Sequence, residues 1–449
     1  YEIGASIDDV EKIKSIGVDV SSLTDDIVQG GVDTTIRYTM FDERSGRVEI
    51  EADLVRAEMK LPMIDWRKAS GDSGWAAVTI LIENGLVKSV PSFEVNAGDL
   101  LVEGDIKYAP AGLGLERINL KQVLLDRTNV SGAVISRPDG GWELGLRGSE
   151  IDITPLWDRM FNDRPGRESM SLPDLTVAIE LDKVWVDKQR FMTDVSGTFA
   201  HRQDIWRTVL FDSKINGQTN FDVNILPDDT GNRMMSVTAE NAGDVLRFLE
   251  IFDNMHGGKL SVQGRYDDAA PDQPLRGTVK VTNYRVRNAP ILTRVLSIMA
   301  LTGIVDAMTG EGLNFNELSI PFTHREGEIT INGAKATGTS IGFTASGNIY
   351  THADVLNIQG TVVPAYAVNS LLGKIPLLGN LLVGTEDGGG VFAASFSITG
   401  PIEDPKMSVN PLSALTPGIL RNLFGALPNQ DGAVEFNQPA NPGEGALFQ

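Results

Sequence analysis

A two-residue alternation of apolar and polar side chains runs through most of this sequence and constrains its fold more than any other feature. In residues 47–54 it places Val48, Ile50, Ala52 and Leu54 on one side of an extended chain and charged residues on the other. The alternation recurs in segments 99–106, 175–181, 221–225, 276–281, 328–331, 341–349, 356–362 and 392–398. Turn-forming sequences separate such runs: Asn84-Gly85, 139–141, 228–231, Gly257-Gly258 and Asn332-Gly333. The pattern predicts antiparallel hairpins in which each strand has one apolar face.

Helical periodicity is confined to four segments: 7–28, 241–255, 290–308 and 412–427. The segment 290–308 has the strongest signal, with a proline in its first turn and Gly310 just after its end. Residues 428–449 are rich in Asn, Pro, Gly and Gln, a composition that predicts a disordered tail.

A strand, a small or polar cap residue, and then a helix or turn lying back on the sheet recur at 142–157, 235–246 and 277–292. Such units stack in one dimension, each contacting its neighbours. With roughly 25 strands about 4.8 Å apart, an uncoiled sheet would be on the order of 100 Å long. We therefore expect the sheet to twist and curl. Leu313 and Phe315 fall at odd positions and Leu318, Ile320 and Phe322 at even positions, so the two groups would point to opposite faces of one regular strand. This change predicts a bulge or a new strand between them.

Composition excludes several function classes for this chain of 449 residues. The 39 Lys and Arg against 60 Asp and Glu give a net charge of −21, which disfavours nucleic acid and anionic membrane surfaces as partners. No cysteine is present, so disulfides, thiolate zinc sites and cysteine nucleophiles are excluded.

The most membrane-like window, 289–310, contains Arg294 and Asp306 and is not predicted to span a bilayer. Because the sequence begins at Tyr1 without a signal pattern, we expect any membrane anchor to lie upstream.

Catalytic and metal-binding motifs are weak. The four histidines are too far apart in sequence to form a helical metal face, and no dinucleotide or phosphate-loop motif occurs, so we expect no metal and no cofactor. The string 338–342 matches the G-x-S-x-G pattern of serine hydrolases, with Ser340 as the candidate nucleophile. It runs into an alternating segment, whereas a nucleophile elbow joins a strand to a helix. We therefore interpret it as a glycine-rich start of a strand and predict no enzymatic activity.

The second half of the chain resembles the AsmA-like family of bacterial envelope proteins, which is related to TamB and YhdP. The resemblance is close from about 235 to 425 and looser upstream, around Trp66-Arg67-Lys68 and the strand before Asp152. No single motif establishes the resemblance, which rests on several motifs that occur in the same order. The segments that carry it are 241–249, 255–260, 288–297, 312–315, 360–369, 375–379, 400–406, 409–412 and 417–418.

The resemblance implies a periplasmic bridge-like lipid-transfer protein of a Gram-negative bacterium, anchored to the inner membrane in its full-length form. It implies an elongated, twisted antiparallel β-sheet, mostly β with a few short helices, curled into an open hydrophobic groove. Phospholipid acyl chains and the inner and outer membranes would be the partners, with envelope proteins as further candidates. The family has no catalytic residues to carry over.

The predicted organisation follows from these patterns. It comprises a helical or irregular segment (1–30), groove repeats (31–165), a repeat ending in a helix (166–256), an AsmA-like groove with helix 290–308 (257–411), an amphipathic helix (412–427) and a disordered tail (428–449).

Too few amphipathic helices are present to cover the apolar side of some 25 strands, so a second protein layer or acyl chains must cover the remainder. An ordinary sandwich or barrel core remains the alternative on residue pattern alone. The predicted lipid-groove residues are Val279, Val281, Ile329, Ile331, Phe343, Ile349, Ile358, Val362 and Phe396.

Two C-terminal segments, 371–383 and 419–427, are more apolar than a soluble terminus requires. We hypothesise that they contact the outer membrane or a partner there; alternatively they fold back and cover the last strands. The predicted membrane-contact residues are Leu371, Leu378, Leu382, Leu423 and Phe424. The rival to a lipid conduit is a non-catalytic β-rich envelope scaffold that carries no lipid.

Overall fold

The computed structural model describes residues 2–7, 27–109, 114–161, 172–298, 302–364 and 394–410. Within these ranges the chain is mostly β, with helices α1 (Thr154–Phe161), α2 (Ala242–Phe248), α3 (Pro290–Ile298) and α4 (Thr302–Thr309) and a 3-10 turn, Pro62–Ile64. The strands are β1 (Glu2–Ile7), β2 (Val28–Gln29), β3 (Val32–Met40), β4 (Ser45–Asp53), β5 (Glu58–Leu61), β6 (Trp66–Lys68), β7 (Gly74–Glu83), β8 (Leu86–Ala97), β9 (Leu100–Tyr108), β10 (Leu115–Leu125), β11 (Thr128–Ser136), β12 (Trp142–Asp152), β13 (Leu175–Trp185), β14 (Phe191–Arg202), β15 (Ile205–Ile215), β16 (Thr219–Pro227), β17 (Arg233–Ala239), β18 (Met255–Tyr266), β19 (Leu275–Val286), β20 (Leu313–Arg325), β21 (Glu328–Gly338), β22 (Ile341–Tyr350), β23 (Val355–Pro364), β24 (Ala394–Pro401) and β25 (Lys406–Asn410).

Twenty-two of the strands form one long, twisted and open sheet, as the sequence predicted. Its hydrogen-bonded order is β1, β3, β4, β7, β8, β9 and then β10 to β25 in succession. The neighbours are antiparallel except β12 and β13, which are parallel because the chain crosses over through α1 before β13 begins. The sequence predicted an antiparallel sheet, and this one pair departs from that prediction. Strands β2, β5 and β6 form a separate small sheet.

The register of the main sheet aligns the apolar residues of successive strands on one side. One row can be followed without interruption from β3 to β20: Ile36, Ile50, Val78, Phe93, Gly104, Leu120, Gly132, Leu146, Ile179, Gly197, Phe211, Val223, Val237, Val262, Val279 and Ile320. We call this side the apolar face. The intervening residues form the opposite, polar face, for example Glu180, Ser196, Asp212, Asp222 and Thr238, which are paired in this order across β13 to β17.

The strand ends form two margins of different construction. At the hairpin margin, neighbouring strands are joined by short turns: 41–44, 84–85, 137–141, 203–204, 228–232, 267–274, 326–327, 351–354 and 402–405. At the insertion margin lie the small sheet (within 28–68) and the segments 153–161, 240–254 and 287–312, which contain all four described helices. Additions to the sheet within the described residues are therefore concentrated along one side.

The helices pack on the apolar face at the insertion margin. The side chain of Asn241 caps α2 by accepting a hydrogen bond from the backbone N–H of Asp244. Val245 and Phe248 of α2 and Val295 and Leu296 of α3 are buried in the same continuous cluster as the strand residues. The three predicted strand-cap-helix units are confirmed, since β12 leads into α1, β17 into α2 and β19 into α3.

Several local predictions need correction. Gly257-Gly258 and Asn332-Gly333 are not turns: the first pair lies inside β18 with positive φ, and the second forms a bulge within β21. The predicted helix 241–255 ends at Phe248, and the predicted helix 290–308 is divided between α3 and α4. The predicted change of side-chain alternation after Phe315 is confirmed as a bulge in β20.

The predicted domain limits are only partly covered. Glu2–Ile7 is a strand paired with β3, so the first predicted segment is not wholly helical or irregular. The sheet continues across the proposed limit at 256/257, where β18 pairs with β17. The predicted helix 412–427 and tail 428–449 lie outside the described residues.

Candidate functional site

All nine predicted groove residues lie on the apolar face, over β19 to β24. Their registers bring them together: Phe343 is opposite Val362, Ile329 is opposite Ile349, and Ile331 is connected to Ile358 through Gly347 between them. Seven of the nine are half-buried, which leaves part of each side chain accessible: Val279, Ile329, Ile331, Phe343, Ile349, Ile358 and Phe396.

Val281 and Val362 differ from the other seven, because their exposed fractions are only 2% and 0%. Both lie toward the insertion margin and belong to the buried cluster that includes Val295, Leu296 and Met308 of the helices. They are core residues and cannot offer surface to a ligand, so their assignment to the groove surface is corrected.

Burial therefore changes across the apolar face. Next to the insertion margin, Leu181, Val195, Ala239, Leu260 and Ala394 are buried like Val281. One and two rows nearer the hairpin margin, the residues become half-buried, as at Val223, Ile225, Val237, Val262 and Met235. Over β13 to β24 the face is therefore mostly closed toward the insertion margin and half-buried toward the hairpin margin, whereas Ile80, Val90 and Leu275 are buried on the hairpin side.

Aromatic rings line the apolar face at intervals. Tyr284 stacks on Phe315 with ring centres 5.0 Å apart, and Phe315 contacts Phe343 at 6.1 Å. Farther along, Phe211 lies 6.2 Å from Phe199 and 6.4 Å from Phe221. Burial raises the pKa of Tyr284, so its phenol is neutral and adds no charge to this apolar surface.

Two rings lie over glycines of the neighbouring strand. A Cβ atom added to Gly104 would be 2.5 Å from Cζ of Phe93, so the ring occupies the space that a side chain at Gly104 would need. Phe396 covers Gly360 in the same way. The two glycines therefore let bulky rings lie close to the sheet.

The first half of the sheet, predicted as groove repeats (31–165), carries an equivalent apolar surface for which sequence reasoning named no lipid-groove residues. Ile36, Ile50, Val78, Phe93 and Leu120 are half-buried members of the continuous row. The signal that could have found them was present, because residues 47–54 show the same alternation as the second half.

Depressions in the described surface lie on the polar face. One of about 980 Å³ crosses β10 to β15 over small residues such as Ser131, Ala133 and Ser196. Another of about 710 Å³ lies beside Trp75, and a third of about 580 Å³ lies beside Arg285. The predicted groove residues do not line these three depressions, but Phe396 borders a further one of about 540 Å³ over β22 to β25.

The polar face also contains a pair of interacting acids. Asp212 lies opposite Asp222 on β16, and the hydrogen bond with that carboxyl, together with burial and charge repulsion, raises the pKa of Asp212.

Ser340 lies in the two-residue turn between β21 and β22 and is exposed. This turn joins two antiparallel strands, so the strand-to-helix geometry of a nucleophile elbow is not formed there.

In the described part of the chain, no three His, Asp or Glu side chains are grouped closely enough to hold a metal ion. None of the described helices is both long and apolar enough to cross a bilayer. The predicted membrane-contact residues fall outside the described ranges.

The geometry defines a class of structure, a long open sheet with one apolar face that is covered along one margin. The chain matches no protein-family model, and neither curated proteins nor solved structures give a significant match.

Proposed function

We propose that this protein is a lipid-transfer conduit of the Gram-negative periplasm, in which phospholipid acyl chains lie on the apolar face and move between the inner and outer membranes. The observation that carries the proposal is the continuous row from Ile36 to Ile320, which is half-buried at positions on both halves of the sheet. Extended apolar surfaces of this kind mark binding sites, since soluble proteins rarely expose contiguous apolar patches of more than a few hundred Å². The resemblance to the AsmA-like family supports the same function.

The length and uniformity of the row suit transport. Sixteen strands about 4.8 Å apart cover on the order of 70 Å along the sheet. Each methylene group removed from water on this surface contributes about 0.8 kcal/mol. Because Val, Ile, Leu and Phe alternate with a few Gly along the row, a bound chain meets similar contacts at each step and is not held at one point.

The two margins indicate how a lipid would lie. Helices and buried side chains close the insertion margin, as at Val281 and Leu296. Acyl chains would therefore enter over the hairpin margin, and the polar headgroup would remain in water at that side. Half-buried residues such as Ile349 and Ile358 would contact the lipid, whereas Val362 would not.

Site-specific photocrosslinking in cells tests this arrangement. A photoreactive amino acid at Phe343, Ile349 or Ile358 should crosslink to phospholipid. The same group at Thr344, Asn348 or Gln359, on the polar face of the same strands, should give several-fold less lipid adduct. Equal labelling of both faces, or no lipid adduct from either, would contradict the proposal.

Native mass spectrometry of the detergent-free protein separates a conduit from a scaffold. A conduit should copurify with phospholipid, and Ile349→Asp should reduce the bound lipid because a carboxylate on the apolar face is costly to desolvate. Ser346→Asp, at an exposed position on the polar face of the same strand, is the matched control. A wild-type protein without lipid would favour the scaffold.

A further inference from the structure

A cationic depression lies on the polar face at the insertion margin, between β18, β19 and β20. Its volume is about 580 Å³, and its lining includes His256, Arg285, Arg287, Asn314 and Asn316. Tyr284 and Phe315, whose rings lie on the apolar face, also border it, whereas its charged residues lie on the polar face.

The register of three strands brings these side chains together. His256 on β18 is directly opposite Arg285 on β19, and Asn314 on β20 is opposite Arg285 on the other side. Arg287 is two residues farther along and therefore lies on the same face as Arg285. The Nε of Arg285 donates a 3.0 Å hydrogen bond to Oδ1 of Asn314, which fixes one edge of its guanidinium group.

Gly312 makes room for this arrangement. It has a φ of +93°, and a Cβ atom added there would lie 2.8 Å from Cγ of Arg285. A larger residue would displace the arginine stem from its position beside Asn314.

The charges of this depression are not balanced as they are elsewhere on the same strands. At the hairpin ends of β18 and β19, Arg265 contacts Asp228 at 2.7 Å and Arg276 contacts Asp267 at 3.7 Å. Within the described ranges no carboxylate lies at ion-pair distance from Arg285 or Arg287, although the chain has a net charge of −21. Glu311 is the acid that lines the depression.

We propose that this depression binds a phosphate group. Guanidinium groups donate paired hydrogen bonds to phosphate oxygens, and the one used donor of Arg285 leaves others available. The imidazole of His256 and the amides of Asn314 and Asn316 supply further donors. The phosphate belongs to an anionic phospholipid headgroup or to a soluble phosphate ester, which share this chemistry.

Calorimetric titration of the full chain with inorganic phosphate tests the site. The wild type should bind phosphate, and Arg287→Gln should weaken the affinity about five-fold because one charged donor is lost at an exposed site. Glu311→Gln should strengthen it about two-fold, since it removes the one repelling carboxylate of the lining. Arg294→Gln is the matched control, because Arg294 is an exposed cation on α3 outside the depression.

Sedimentation with phosphatidylglycerol vesicles and with phosphatidylcholine vesicles distinguishes the two sources of phosphate. Cosedimentation with phosphatidylglycerol that Arg287→Gln weakens supports a headgroup, whereas binding of inorganic phosphate alone supports a soluble ester. The proposal is overturned if the wild type binds no phosphate, or if Arg294→Gln weakens binding as much as Arg287→Gln. An unchanged circular-dichroism spectrum and unfolding midpoint show that each variant is folded. The titration and the vesicle sedimentation do not depend on the lipid-conduit proposal.

Discussion

The two margins of the main sheet differ in what they do to the apolar face between them. At the insertion margin, helices cover the row that contains Leu181, Leu260 and Val281, and the small sheet covers Ala97 and Leu100. At the hairpin margin, short turns join the strands, and residues such as Ile225 and Ile349 stay half-buried. The comparison teaches that a single sheet can obtain its stability along one side and keep an accessible apolar surface along the other.

The hairpin margin nevertheless includes buried charged groups. Arg233 and Asp268 form a buried ion pair at 2.7 Å, with exposed side-chain fractions of 8% and 9%, and the guanidinium lies 4.0 Å from the centre of the Tyr266 ring. This pair fastens the start of β17 to the turn that follows β18.

Arg233→Met should therefore have the largest effect on stability, lowering the free energy of unfolding by about 3–5 kcal/mol, because the buried Asp268 loses its close partner and is left with Arg207, 3.9 Å away. Urea denaturation followed by circular dichroism measures it. Arg265→Met, which breaks an exposed pair with Asp228 at the same margin, should cost less than about 1 kcal/mol. Similar losses for the two variants would show that the buried Arg233–Asp268 pair contributes no more to stability than the exposed Arg265–Asp228 pair.

A matched pair of isoleucines tests the contrast between the margins directly. Ile215, at the insertion end of β15, is 2% exposed, and Ile225, at the hairpin end of β16, is half-buried on the same face. Ile215→Ala should lower the free energy of unfolding by about 3–4 kcal/mol and Ile225→Ala by about half of that, since less apolar surface and a smaller cavity are involved. Equal losses in urea denaturation would contradict the contrast in burial.

The smallest effect is expected on the polar face, midway between the margins. The raised pKa of Asp212 means that its charged form is disfavoured in the folded state, so stability is lost as the pH rises through this pKa and is retained below the ordinary value of 3.8. Asp212→Asn should therefore stabilise the protein at pH 7 by a few tenths of a kcal/mol, because like charges no longer face each other across two strands. Thermal unfolding at pH 7 and at about pH 3 measures the difference. A gain that persists unchanged at the lower pH would refute this cause.

Local pattern was sufficient to predict the strands and their apolar sides. Val48, Ile50 and Ala52 lie on the apolar face as the alternation predicted, because a strand's side-chain period does not depend on its partners. The cap of α2 at Asn241 was also present in the sequence, since a polar residue before an apolar stripe is a local signal.

Features that depend on distant contacts could not be predicted. Asn332-Gly333 has the composition of a turn but forms a bulge, because β21 continues to pair with both neighbours beyond it. The parallel pairing of β12 with β13 is decided by where the crossover through α1 returns. Val281 and Val362 have the same local pattern as Val279 and Ile358, and only the elements packed at the insertion margin make them inaccessible.

The rings of Phe93 and Phe396, which cover Gly104 and Gly360, have a consequence for motion. Because each ring occupies the volume left by a missing side chain, its bulk is accommodated sideways and does not project as a ridge. If the lipid-conduit proposal holds, a hydrocarbon tail that crosses from one strand to the next would meet little corrugation at these two positions. Gly104 and Gly360 therefore leave this surface flatter than it would be with side chains at both positions.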